Sequence, residues 1–176
     1  MTGTARWPTA TPIRTARLDL EPLRVEHADE AAPLFDDERL HAFTGGTPAG
    51  ADDLRARYAR QAVGRSPDGA QAWLNWMARD HGTGRLVGTV QATVDRGGDG
   101  GLRGELAWVV GTDHQGRGYA REAAGAVAGW LGERDVRELL AHVHPDHGAS
   151  AAVARAVGMA ATDVVVDGEV RWSTRV

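Results

Sequence analysis

Leu106-Ala107-Trp108-Val109-Val110, followed after four residues by Gln115-Gly116-Arg117-Gly118-Tyr119-Ala120, sets an apolar run of strand character against a glycine-punctuated turn. Beyond the turn Ala120, Ala123, Ala124, Val127, Trp130 and Leu131 recur at helical spacing, so the helix that begins there has one apolar face. A strand, a glycine-rich turn and a helix N-terminus in succession form an anion site. The first-turn amides lack intrahelical acceptors, they point outward, and the helix dipole adds partial positive charge. Gly116 and Gly118 carry no side chain to hold a phosphate away from the backbone, and Arg117 contributes a mobile cation.

Other glycine loops are excluded by their own requirements. No Gly-Lys-Ser/Thr follows at P-loop distance, and Arg121 stands where a dinucleotide fingerprint needs its third glycine or alanine. The pattern here is Gln/Arg-x-x-Gly-x-Gly/Ala. It resembles the acetyl-CoA pyrophosphate loop of the GNAT superfamily of N-acetyltransferases.

Working outward, Leu18, Leu20 and Leu23 alternate with charged residues and predict a strand near Thr15–Leu23. A helix is expected from His27 to Phe43 with a break between Pro33 and Asp37, then a loop over Thr44–Gly50, then a second helix from Asp52 or Asp53 to Gly64. Strands are predicted over Ala72–Arg79 and Arg85–Val94 around an Asp80–Gly84 turn, and over Leu102–Val110 after the glycines at 97–101. The loop helix, a strand over Arg137–His144, a short helix over Gly148–Val157 and a final hairpin through Asp167-Gly168 complete the order. The expectation is one α+β domain over residues 13–176, with a mixed, mostly antiparallel sheet flanked by helices. Residues 1–12, rich in threonine and proline, are expected to form a loose tail.

That order of elements also resembles GNAT. Thr15–Leu23 with Glu26-His27-Ala28, and Phe43-Thr44-Gly45-Gly46, resemble the RimJ/RimL branch that acetylates ribosomal-protein N-termini. His144-Pro145-Asp146-His147-Gly148-Ala149-Ser150, ending at Gly158-Met159, resembles the superfamily's Pro-x-Asn-x-x-Ser…Gly-Phe stretch. The resemblance implies acetyl-CoA as co-substrate and a primary amine as acceptor, either a protein N-terminus or a small molecule. It implies a cofactor site at Trp108, Val109, Val110, Gln115, Gly116, Arg117, Gly118, Tyr119, Ala120, His147 and Ser150, with the Val109 amide donating to the thioester carbonyl. It also allows a homodimer.

A carboxylate near the amine, usually acting through water, can deprotonate it. Glu105 is the candidate base, since relatives often carry a glutamate just before the loop, and apolar neighbours Ala107 and Val109 are expected around it. A plainly solvated strand-end glutamate is the alternative. Two departures stand out: His147 replaces the usual asparagine, and Ala154 falls where a proton-donating tyrosine is common. A non-catalytic acyl-CoA-binding or sensor module on the same fold is the rival function.

His142-Val143-His144-Pro145-Asp146-His147 also matches the His-x-His-x-Asp-His motif of metallo-β-lactamase-type zinc hydrolases. No histidine follows His147 to complete such a site, so no metal is expected. His27, His41, His81 and His114 are read as surface residues, and Trp73, Trp76, Trp108, Trp130 and Trp172 mostly as core, with Trp73 or Trp76 as a substrate wall.

Composition adds limits. The 176 residues are 42% hydrophobic and 25% charged, which suits one globular domain. A net charge of −4 without a basic run gives no reason to expect nucleic acid or an anionic membrane as partner. The chain has no cysteine, which excludes disulfides and a cysteine nucleophile. No apolar segment has signal-peptide or membrane-span character, so a cytoplasmic location is expected.

Overall fold

Eight strands form one sheet in the order β1-β2-β3-β4-β5-β6-β8-β7 in the computed structural model, which describes residues 6–175. β1 (Ile13–Arg14), β2 (Leu18–Pro22), β3 (Ala72–Asp80), β4 (Leu86–Arg96) and β5 (Leu102–Val110) pair antiparallel in sequence. β6 (Val136–Val143) lies parallel to β5, and the hairpin of β7 (Ala160–Val166) and β8 (Glu169–Ser173) joins through β8. A parallel pair needs a crossover connection. Helix α3 (Tyr119–Gly132) supplies it on one sheet face. Helices α1 (His27–Phe35) and α2 (Ala51–Gln61) cover the other, and α4 (Gly148–Ala156) follows β6.

The two-residue period of a strand builds both layers from the same residues. Along β3, Leu74, Trp76 and Ala78 join the core beneath α3, whereas Met77 joins the smaller cluster beneath α1 and α2 with Leu54, Tyr58 and Leu86. The break expected after Pro33 falls at Asp36, with a single 3-10 turn at Glu38–His41 after it.

One pairing irregularity positions everything that follows. β5 and β6 are partners only from Leu102↔Val136 to Glu105↔Leu140. Beyond that point β5 continues with β4 alone, while β6 from Leu140 onward pairs with β8. The strands therefore part, and the C-terminal half of β5 has an open edge. Gly104 allows the closed end to be tight, since a Cβ there would lie 3.2 Å from Val136 Cγ1 and 3.3 Å from Leu139 Cδ2.

Two expectations need correction. Residues 6–12 are not a loose tail. The Trp76 indole donates to Thr11 O (2.8 Å) and the Trp130 indole to Thr11 Oγ1 (2.9 Å), so two core tryptophans fasten this arm, and the arm's own Trp7 indole donates to Gly69 O (3.0 Å). Residues 1–5 of that expected tail lie outside the described residues. His27 is buried rather than superficial, with Nδ1 accepting from the Arg24 amide and Nε2 2.9 Å from Glu21 Oε2. Among the described residues no helix is long and apolar enough to cross a membrane.

Candidate active site

Gly116 and Gly118 adopt φ of +73° and +81°, the left-handed region where a side chain is strained, and Gly118 is the N-cap of α3. No side chain caps that end. The amides of Tyr119, Ala120 and Arg121 are therefore left for a ligand, as at any helix start. Residues 115–118 are exposed. The Gln115 side chain donates to Val110 O (3.1 Å), which folds the loop back onto the end of β5.

A strut from the N-terminal segment fixes the loop. Glu122 accepts from the Thr15 hydroxyl (2.6 Å), the Arg17 amide (2.8 Å) and Arg17 Nε (2.7 Å), and Arg17 Nη1 donates to Arg117 O (2.8 Å). Burial raises the Glu122 carboxyl, but the bonds from Thr15 and Arg17 outweigh it and hold the group below its ordinary value. Sequence reading missed this strut, whose Thr15 and Arg17 lie about a hundred positions from the loop. Their one signal was the family-like Thr15–Leu23 opening.

Tyr119 is corrected in part. Its side chain is buried, its hydroxyl donates to Asp80 Oδ2 (2.5 Å), and the Arg17 guanidinium sits over its ring. Only its backbone amide remains on the ligand side.

The open edge of β5 leads into this loop. Gly111 N donates to Val87 O, which fixes the ladder's phase. Alternate residues of an antiparallel ladder aim their amides the same way. The Val109 amide therefore faces β4, and those of Trp108 and Val110 face the gap toward β6. The Val109 amide, expected as a donor, thus does not face the gap, whereas these neighbours do. Val109 instead presents a side chain 40% exposed on the α1–α2 face, while Trp108 packs against the α3 core.

Across the gap, His147 caps α4 by accepting from the Ser150 amide (3.4 Å). Burial, then the charge of neighbouring His144, lowers its imidazole below the ordinary histidine value. Phe43 stacks on His147 with centroids 4.3 Å apart, so the loop after the 3-10 turn touches the far wall. Ala154 is wholly buried in the core and offers no donor.

Glu105 lies at the point where β5 and β6 separate. Its side chain is 51% exposed, not enclosed by Ala107 and Val109, and accepts from His142 Nδ1 at 2.7 Å. Arg171 Nε donates to His142 Nε2 at 3.2 Å. That bond occupies the Nε2 lone pair, so the ring proton resides on Nδ1 and is directed at Glu105. Three strands, β5, β6 and β8, thus align Arg171, His142 and Glu105 in one chain. Nothing in the sequence signalled it beyond the presence of His142 in the histidine motif.

On the α1–α2 face beside this chain, a cavity of about 200 Å³ lies under α2 and includes Arg57, Asn75, Gln91 and Val109. A second of about 290 Å³ adjoins it and shares Arg57, Gln61, Asn75 and Gln91. Trp73, one of the two tryptophans considered for a substrate wall, lines the second, whereas Trp76 is fully buried.

Residues 17–160 match the family described as the acetyltransferase (GNAT) domain. The chain belongs to the GNAT acetyltransferases. A search of curated proteins found no match by sequence. Among solved structures, a GNAT acetyltransferase from Bacillus anthracis is 17% identical with a TM-score of 0.72, covering 93% of this chain and 96% of that one. An acetyltransferase from Agrobacterium tumefaciens is 25% identical with a TM-score of 0.69, covering 96% of both chains. The ribosomal-protein α-N-acetyltransferase RimL, in complex with coenzyme A, is 13% identical with a TM-score of 0.75, covering 93% and 97%. The likenesses below 25% establish the fold alone.

Within the GNAT frame the zinc-hydrolase reading of the histidine motif fails on geometry. His142 is engaged by Glu105 and Arg171, His144 Nδ1 accepts from the Asp146 amide, and His147 caps α4. Among the described residues no group of three or more potential ligands is placed to hold a metal ion.

Proposed function

We propose that this GNAT protein transfers an acetyl group from acetyl-CoA directly to a primary amine, with both substrates bound together. The observation that carries the reading is the open half of β5 running into the uncapped amides of α3. A pantetheine arm would lie along the open edge of β5, and a diphosphate would sit at Gly116–Ala120, with Arg117 beside it. His147 and Ser150, at the start of α4, would form the opposite wall. The amides of Trp108 and Val110 are placed to polarise the thioester carbonyl, where charge develops during acyl transfer.

Glu105, aimed by His142, takes the proton released when the amine nitrogen bonds to the carbonyl carbon. The carbon–sulfur bond breaks, and the departing thiolate takes its proton from solvent, since Ala154 cannot supply one. RimL is named for acting on a protein α-amine. An α-amino group, with a pKa of about 8 against about 10.4 for lysine, suits a half-exposed carboxylate base, so a protein N-terminus or a small-molecule amine is the acceptor we favour. The absence of cysteine fits the reducing cytoplasm, where we place the protein.

Thermal unfolding with acetyl-CoA tests the binding half. A ligand at a hundred times its dissociation constant stabilises a fold by about 2.7 kcal/mol, and Gly118→Glu should abolish that gain. Amine-dependent release of the CoA thiol tests the chemistry. Binding without release under a broad amine panel would leave a sensor module and overturn the transferase reading.

A further inference from the structure

We infer that the acceptor carries a carboxylate close to its amine, recognised by Arg57 and Arg60 on α2. This rests on the transferase reading only in assigning the amine to Glu105. The two adjoining cavities contain no aspartate or glutamate among their lining residues, although the chain has more acidic than basic residues. Arg57 lines both cavities and Arg60 lines the second. Within the same helix Arg55 is paired with Asp29 and Asp52 on the outer side. Among the described residues Arg57 and Arg60 have no such partner, and Asp53, one turn before Arg57, is not within ion-pair distance. The cavity wall therefore offers guanidinium donors without a carboxylate, the chemistry that pairs with one brought by a ligand.

An acid, Glu105, lies across the same surface. Thr93, which lines the second cavity, is the register partner of Glu105 on one side and of Trp73 on the other. The side chains of such a row share one face. The cleft thus has an anionic pole at Glu105, where an amine is handled, and a cationic pole beneath α2. Between β3 and β5 are two strand spacings, roughly 10 Å, about the span of three extended residues. An acidic side chain in the first residues of a peptide fits that span, and the carboxylate of a free amino acid reaches it when the arginines bend inward. Both sources offer the same chemistry, an amine and a carboxylate on one molecule. A cavity built for simple cationic amines would place acids where this one has arginines.

Calorimetric titration in the presence of CoA, where no transfer occurs, tests the inference through binding alone. The ligands are two matched pairs: a peptide beginning Ser-Glu-Glu against one beginning Ser-Gln-Gln, and free serine against serinamide, which lacks the carboxylate. In at least one pair the member with the extra carboxylate should bind about ten-fold tighter, the difference expected of one charge-assisted contact. The preference should shrink with added salt and collapse in Arg57→Gln and in the Arg57→Gln/Arg60→Gln double variant. Both variants should keep the acetyl-CoA thermal shift, which reports a folded protein. Preference in the peptide pair identifies a protein N-terminus, and preference confined to the amino-acid pair identifies a small amine. Equal binding within both pairs, no binding of any of the four, or a preference that survives the double variant overturns the inference. Acidic preference without acetyl transfer sinks only the transferase reading. Transfer without charge preference sinks only this one.

Discussion

Glu122→Gln should weaken acetyl-CoA binding although Glu122 contributes no atom to the loop surface. The carboxylate accepts three short hydrogen bonds, two of them from Arg17, whose Nη1 in turn holds the Arg117 carbonyl. In the glutamine variant one oxygen can still serve Thr15 and the Arg17 amide. The other becomes an NH2 facing the Arg17 Nε–H, two donors together. A hydrogen bond to a charged group contributes about 1.5–3 kcal/mol. The Arg17 side chain is 45% exposed against 17% for Glu122, so solvent screens the pair, and about 1–2 kcal/mol is the appropriate loss.

If the loop amides bind diphosphate only when the strut holds them, that loss appears in the dissociation constant as roughly a five- to thirty-fold weakening. It should also lower the melting temperature by roughly 2–8 °C for a domain of this size. Calorimetric titration well below the melting temperature, on wild type and Glu122→Gln, separates the two effects. A lowered melting temperature with affinity changed by less than about two-fold would refute the reasoning. The strut would then stabilise the fold without shaping the loop. The same carboxyl gives a pH signature. Its folded value lies below the ordinary 4.5, so its contribution is complete above 4.5 and is lost as pH falls through the folded value. Affinity from this source should be flat from pH 8 to pH 5 and fall only in stronger acid.

The remaining predictions are briefer. His142→Phe removes the donor that aims Glu105, so kcat should fall by roughly ten-fold with acetyl-CoA affinity unchanged, and His142→Asn, which restores an N–H, should recover part of the loss. Gly88→Ala places a methyl group 2.5 Å from Val109 O, so β4 and β5 must shift; about 1–3 kcal/mol of stability should be lost, with transfer impaired beyond what the stability loss explains. Tyr119→Phe leaves Asp80 Oδ2 without the Tyr119 hydroxyl and should lower the melting temperature, leaving acetyl-CoA affinity intact because only the Tyr119 amide belongs to the proposed cofactor site.

Much of this fold was legible because each element carries its own period. The α3 pattern from Ala120 to Leu131 and the β5 run from Leu102 to Val110 fall where expected, and the glycines between them have the positive φ that the anion-loop reading requires. Tyr119 shows a reading that stopped too soon. It lies four residues before Ala123 and eight before Val127, both buried, so the same helical spacing already placed its ring in the core. Strand alternation likewise separates Val109 from Trp108 and Val110, but which of them face the gap follows from the pairing with β4. That pairing is a long-range fact. The Glu105–His142–Arg171 chain and the Thr15–Arg17–Glu122 strut were not legible for the same reason, since they join residues 29 to 107 positions apart. The tail misled because threonine and proline read as loop composition, while the indole donors of Trp76 and Trp130 that fix Thr11 lie far along the chain.

The most direct test of the account is a single-turnover experiment with acetyl-CoA labelled in its acetyl carbon, wild type against Glu105→Gln. The account predicts that label moves from CoA to the amine only when an acceptor is present, and that the protein carries none at any time. In Glu105→Gln the transfer rate should fall by about a hundred-fold, within the range for a lost general base, while labelled acetyl-CoA binds as before. Label retained on the protein before acceptor is added, or an undiminished rate in Glu105→Gln, would contradict direct transfer assisted by Glu105.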